Sequence, residues 1–148
     1  MIKKELVAPC GLYCGVCGIY QATVTNDQKL KEKLAGFYHD TPDKIHCQGC
    51  LSDTVYWYCS ACPIKSCALE KKYEGCHQCD QFPCEKVEAF PVPEGKINIL
   101  RTVPEWRKLG TEAFIAAEEK RFSCPGCQTM FFRGARKCRN CGTPLGLP

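Results

Sequence analysis

The sequence predicts a small α+β fold held together by metal ions rather than by a large apolar core, and three observations carry that expectation. Fifteen of the 148 residues are cysteine, and most fall in C-x-x-C pairs. Two stretches show helical periodicity behind capping-box patterns. The C-terminus holds a C-x2-C-x10-C-x2-C array around an apolar run, the pattern of two knuckles joined by a β-hairpin. The expected organisation is a helical cysteine-rich domain with zinc knuckles over residues 1–92, a helical connector over 93–120 and a zinc ribbon over 121–148.

Composition explains why metal is needed. The apolar fraction is 45% but includes the cysteines; without them about 35% remains, thin for a single well-filled core. Small domains in that position rely on disulfides, metals or partners. MIKKELVAPC lacks the apolar run of roughly 7–15 residues that makes a signal peptide. No stretch approaches the uninterrupted apolar length of a membrane span. A cytoplasmic location and no membrane partner are therefore expected. In a reducing compartment, clustered thiols hold metal more often than they pair, and an odd total argues against a full disulfide set.

Along the chain, Thr25-Asn26-Asp27-Gln28 reads as a capping box. Leu30, Leu34, Phe37 and Tyr38 follow on one helical face, with Pro42 closing the helix. Phe90–Gly95 (FPVPEG) is a proline-rich break and the expected boundary. Thr102-Val103-Pro104-Glu105 is a second capping-box pattern. Trp106, Leu109, Ala113, Phe114 and Ala117 then form a stripe with a break at Gly110. Residues 96–103 are ambiguous between strand and helix.

The pairs are Cys14/Cys17, Cys47/Cys50, Cys59/Cys62, Cys76/Cys79, Cys124/Cys127 and Cys138/Cys141; Cys10, Cys67 and Cys84 stand outside them. Two thiolates three apart on a tight turn can face one ion, half of a tetrahedral site. Cys59, Cys62, Cys67 recur as Cys76, Cys79, Cys84 in a C-x-x-C-x4-C repeat. All fifteen are candidate ligands, and three to four zinc ions are expected. Cys124, Cys127, Cys138 and Cys141 make one site. Cys59, Cys62, Cys76 and Cys79 have the spacing of a second, and Cys14, Cys17, Cys47 and Cys50 of a third. Cys10, Cys67 and Cys84 would then need a non-cysteine ligand, and each triplet of the repeat could instead form its own centre.

Iron–sulfur binding is the alternative, since thiolates serve both metals. CGLYCGVC has the C-x3-C-x2-C spacing of radical-SAM enzymes, but those need a large barrel that a chain of this length without βα repeats cannot build. His46 and His77 adjoin ligand cysteines, which suits ligation, support of a ligand or a plain surface position better than a Cys–His catalytic pair. No phosphate loop, nucleophile elbow, metalloprotease or dinucleotide motif is present. No catalytic residue is assigned.

APCGLYCGVCGIYQAT, HCQGC, CSACPIKSCALEK and CHQCDQFPCEKVEAF resemble the cysteine-rich family called domain of unknown function 3795. The similarity continues through RKLGTEAFIAAEEKRFSCPGC and KCRNCG, because some members carry a similar helix and C-terminal ribbon. The resemblance implies a prokaryotic, cytosolic metal-binding protein and supplies no activity.

The formal charge of +4 counts every thiol as neutral. Fifteen thiolates on four zinc ions would turn it into about −3, so a basic reading of the whole chain fails. From Arg121 onward, however, Arg121, Arg133, Arg136, Lys137 and Arg139 face no acid. Beside Phe122, Phe131 and Phe132 they offer a nucleic acid phosphate contacts and stacking surfaces. Alternatively, the phenylalanines fill the core and the charges only solubilise it. The expected function is a zinc-binding, non-catalytic scaffold or docking module for a macromolecular partner. An iron–sulfur redox protein is the alternative.

Overall fold

A computed structural model describes residues 3–146. The first helix, α1 (Gly18–Val24), buries Ile19 and Ala22. It ends as the Thr23 and Thr25 hydroxyls bond back to the carbonyls of Ile19 and Gln21. Helix α2 (Gln28–Tyr38) follows after Asn26 takes a left-handed conformation. Its cap is Asp27, whose carboxylate accepts from the Leu30 amide at 3.0 Å, and not the expected Thr25. Leu30 and Leu34 are buried as the periodicity requires, whereas Phe37 is exposed. The helix ends at His39 in the left-handed region, before Pro42.

Two short helices, α3 (Trp57–Ser60) and α4 (Pro63–Glu70), lead to a 3-10 turn at Cys76–Gln78 and to α5 (Glu85–Glu88). The proline-rich break is itself a helix start. Pro93 occupies the first turn of α6 (Pro93–Leu109), where its missing amide costs nothing. Residues 96–103 are thus helical. Asn98, Ile99, Thr102, Val103 and Trp106 form the buried stripe that decides it. Thr102 is an interior residue, not a cap, and Pro104 sits within the helix, leaving the Leu100 carbonyl without its helical donor. Gly110, at φ 81°, breaks the chain as expected, and α7 (Thr111–Arg121) begins beyond it.

Helices α6 and α7 pack together, and α7 also touches the 3-10 turns at Lys4–Leu6 and Cys14–Val16. Between α6 and α7 lies a charged core. Glu118 is buried and takes a two-pronged contact from Arg101 at 2.7 and 3.1 Å; Arg101 also reaches Glu105 at 3.0 Å. The Pro9–Leu12 loop docks against α6 through Gly11, at φ 90°, where a Cβ would stand 2.8 Å from Thr102 and Val103 atoms. One buried cluster runs from Leu6 to Cys138, with Tyr58 of α3 and Cys76 packed against it.

The expected α+β class is not what forms. Among the described residues the fold is helical, with no strand, so the β-hairpin of the C-terminal unit is absent. Only single antiparallel bridges occur, at Val7 with Tyr13, Ser123 with Met130 and Lys137 with Pro144. The reason lies in where the backbone donors after Met130 go. The Phe131 amide donates to the Phe122 carbonyl, that of Arg133 to Val16 and that of Ala135 to Phe132. A ladder would need these groups to face one partner strand. They are spent instead on anchoring the apolar run, whose Phe131 and Phe132 are buried with Phe122.

Candidate metal centres

The C-terminal cysteines converge. Cys124, Cys127, Cys138 and Cys141 place their sulfurs within 4.8 Å of one another. Cys124 Sγ lies 3.6 Å from Cys141 Sγ, and Cys127 Sγ lies 3.6 Å from Cys138 Sγ. A tetrahedron of sulfurs each about 2.3 Å from a central zinc has edges of about 3.8 Å. The donor set therefore fits one four-coordinate ion with no position left open.

Two copies of one turn build this set, 14 residues apart. In the first, the Gly126 amide lies 3.3 Å from Cys124 Sγ, the Gln128 amide donates to the Cys124 carbonyl and the Cys124 amide to Thr129. In the second, Asn140, Gly142, Cys138 and Thr143 repeat those contacts. Gln128 and Gly142 both take positive φ, 64° and 76°, at the equivalent place. The copies close on each other at Gly126, where a Cβ would stand 2.4 Å from Thr143 Oγ1. Backbone amides aimed at sulfur favour the thiolate, which is the form a metal requires.

Side chains assist in a way the cysteine spacing did not reveal. The Asn140 amide nitrogen lies 3.4 Å from Cys127 Sγ, and the Thr129 hydroxyl 3.3 Å. These two contacts lead the causes that pull the Cys127 thiol down to about 6. Thr143 stands 3.0 Å from Cys141 Sγ. The repeated C-x-x-C-x-T pattern was the available signal.

The other eleven cysteines are free thiols in two neighbourhoods. In the first, Cys14 Sγ accepts from the Cys50 amide at 3.4 Å, and Cys47 Sγ from Gly49 at 3.3 Å. Burial pushes the Cys59 thiol well up, and thiolates on Cys17, Cys50, Cys47 and Cys14 would push it further. Burial likewise raises Cys10 and Cys14, and holds Cys50 at about 11 despite the charge of Lys65. Thiolates on Cys50, Cys62 and Cys14 would raise Cys10 further. Such thiols ionise only when a cation replaces the lost solvation.

In the second neighbourhood, burial holds Cys76 at about 11, and the charges of Cys84, Cys79, Cys67 and Cys62 raise it further. Cys59 thus feels the charge of Cys14, Cys17, Cys47 and Cys50, and Cys76 that of Cys84, Cys79, Cys67 and Cys62. The structure does not bring Cys59, Cys62, Cys76 and Cys79 into one tight set: among the described residues, no other group of three ligand atoms is as close as the C-terminal four. His77 stacks on Trp106, ring centroids 3.6 Å apart, with Nδ1 buried and unpartnered.

The basic residues are partly committed within the chain. Arg139 pairs with Asp27 at 2.7 Å, Arg121 lies 3.7 Å from Glu118 and Arg133 Nη1 lies 3.4 Å from the Tyr13 carbonyl. Arg136 and Lys137 are exposed and make no ion pair among the described residues. No helix is long and apolar enough to cross a membrane.

The family described as "Protein of unknown function (DUF3795)" matches residues 6–89, more than half of the chain. No curated protein and no solved structure matches it.

Proposed function

The chain belongs to the DUF3795 family, and we propose that it is a zinc-stapled, non-catalytic interaction module whose C-terminal four-cysteine unit carries a structural zinc ion. One observation carries this reading: four thiols with sulfur–sulfur distances of 3.6 Å across two pairs, set by two copies of one turn. Zinc suits an all-thiolate tetrahedral set, and with four protein ligands no position remains for a substrate or an activated water.

The ion would staple rather than react. The unit it closes holds Phe131 and Phe132 in the core and passes the Arg133 amide to Val16 at 2.7 Å. The segments 1–92, 93–120 and 121–148 are then successive parts of one scaffold. A nucleic-acid partner would find Arg136 and Lys137 uncommitted on this unit, and two phosphate contacts give a salt slope of only about −1.8. The buried phenylalanines offer no stacking surface. A protein partner is therefore the better match.

Elemental analysis of the reduced protein tests the staple. The Cys124→Ser/Cys138→Ser variant should bind one zinc fewer per chain than the unmodified protein. Equal zinc contents in the two would refute the reading.

A further inference from the structure

We propose that Cys67, Cys76, Cys79 and Cys84 hold a polynuclear iron–sulfur cluster in the cavity that they line. The proposal is independent of the C-terminal zinc ion.

The four cysteines come from three short elements that meet at one space. Cys67 lies on α4, Cys76 opens the 3-10 turn, Cys79 closes it and Cys84 caps α5. All four line a single cavity of about 340 Å³. Each is partly buried, and none pairs in a disulfide.

The contrast with the C-terminal site argues for a cluster. There the sulfurs have closed to the distance one tetrahedral ion demands. Around the cavity they have not, since no three of them lie within 4.8 Å of one another. A single zinc ion needs sulfurs about 3.8 Å apart. A four-iron cluster binds each thiolate at a different iron, so its ligands stand apart around a volume. Four cysteines that line one cavity without closing to the single-ion distance leave room for such a group.

The surroundings combine an apolar wall with cationic side chains. Ile64, Ala68 and Phe82 supply apolar wall. Lys71 and Lys86 stand at the lining, opposite in sign to the net charge that four thiolates confer on a dicationic cluster, with Glu85 the acid among them. The turn between the ligands is fixed from behind. The Cys76 amide donates to Pro9 at 2.8 Å, and Arg107 donates to the carbonyls of His77 and Cys79 at 2.8 and 2.9 Å. Ligand positions are therefore set by backbone contacts, not by the ion alone.

Full-length protein expressed with adequate iron and purified without oxygen provides the test. Iron, zinc and acid-labile sulfide are measured per chain, on the unmodified protein and on the Cys76→Ala/Cys79→Ala variant. The unmodified protein should contain sulfide and absorb visible light. The variant should lose roughly four irons and four sulfides per chain and keep the C-terminal zinc. The single Cys84→Ser variant, which offers oxygen in place of one sulfur, should alter the electron paramagnetic resonance of the reduced cluster. Absence of acid-labile sulfide from the unmodified protein overturns the proposal whatever the variants do. Full retention of iron and sulfide by a folded double variant overturns it too, because the cluster would then sit elsewhere. Loss of the C-terminal zinc alone would instead bear on the staple.

Discussion

Asp27 serves two parts of the chain at once: Oδ1 accepts from the Leu30 amide at 3.0 Å and caps α2, while Oδ2 takes Arg139 Nη1 at 2.7 Å. The second C-terminal knuckle is thereby tied to the start of a helix more than a hundred residues earlier. The two roles separate by mutation. Asp27→Asn keeps the cap and should lose only the ion pair, about 0.2–1 kcal/mol for a partly exposed pair. Asp27→Ala loses the cap as well, a further cost of about 0.5–2 kcal/mol. Urea unfolding of both variants, with and without Arg139→Gln, checks the ranking. Arg139→Gln should add nothing to Asp27→Ala.

Reactivity should follow the thiol environments. In reduced, metal-free protein at pH 7, Cys127, held at about 6 by Asn140 and Thr129, is largely thiolate, whereas burial keeps Cys10 and Cys14 protonated. Cys127 should be alkylated well before either, as peptide mass spectrometry can show, and Asn140→Ala should slow it. Folding lowers this thiol from 9.0. Its contribution to the stability of the metal-free form is therefore complete above about pH 9 and lost as pH falls through about 6.

Glu118 is 1% exposed and faces Arg101 across the α6–α7 contact. Removing one partner of a buried pair costs about 3–5 kcal/mol, because the other charge stays desolvated. Glu118→Ala should fall toward the lower end, since Arg101 keeps Glu105. Thermal and urea melts measure this; a change below about 1 kcal/mol would contradict the buried-pair account.

Two glycines should respond to alanine in opposite directions. Gly36 lies inside α2 with nothing within 4 Å of a Cβ, so Gly36→Ala should stabilise by about 0.5–1 kcal/mol. Gly75 has extended backbone that any residue adopts, but its Cβ would stand 2.4 Å from the Trp106 ring and 2.8 Å from the Pro9 carbonyl. Gly75→Ala should destabilise by about 1–3 kcal/mol. Denaturant midpoints of the two variants give the signs directly.

What the sequence disclosed was mostly local. The apolar face of α2 at Leu30 and Leu34, the break at Gly110 and the convergent C-terminal cysteines follow from spacing, and the family from resemblance. Contacts made at a distance stayed hidden. Thr102 looks like a cap until the stripe through Ile99, Val103 and Trp106 buries it inside α6. Pro93 looks like a linker residue because proline breaks helices and begins them with the same ring. Met130–Phe132 reads as the apolar run of a hairpin, but the Phe131 and Arg133 amides turn to Phe122 and Val16 instead of to a hairpin partner. The grouping of the N-terminal cysteines depends on which loops meet, and the 17-residue repeat left open both a shared site and one centre per triplet.

The contacts of Phe132 with α1 and of Arg133 with the 3-10 turn before it also set an order of events during synthesis. A Cβ on Gly18 would stand 3.2 Å from the Phe132 ring, and the Val16 carbonyl takes its hydrogen bond from Arg133. Residues made first therefore wait for residues made more than a hundred positions later before that flank is covered. A ribosome stalled in the last helix would hold a chain whose opening segment is still bare on that side.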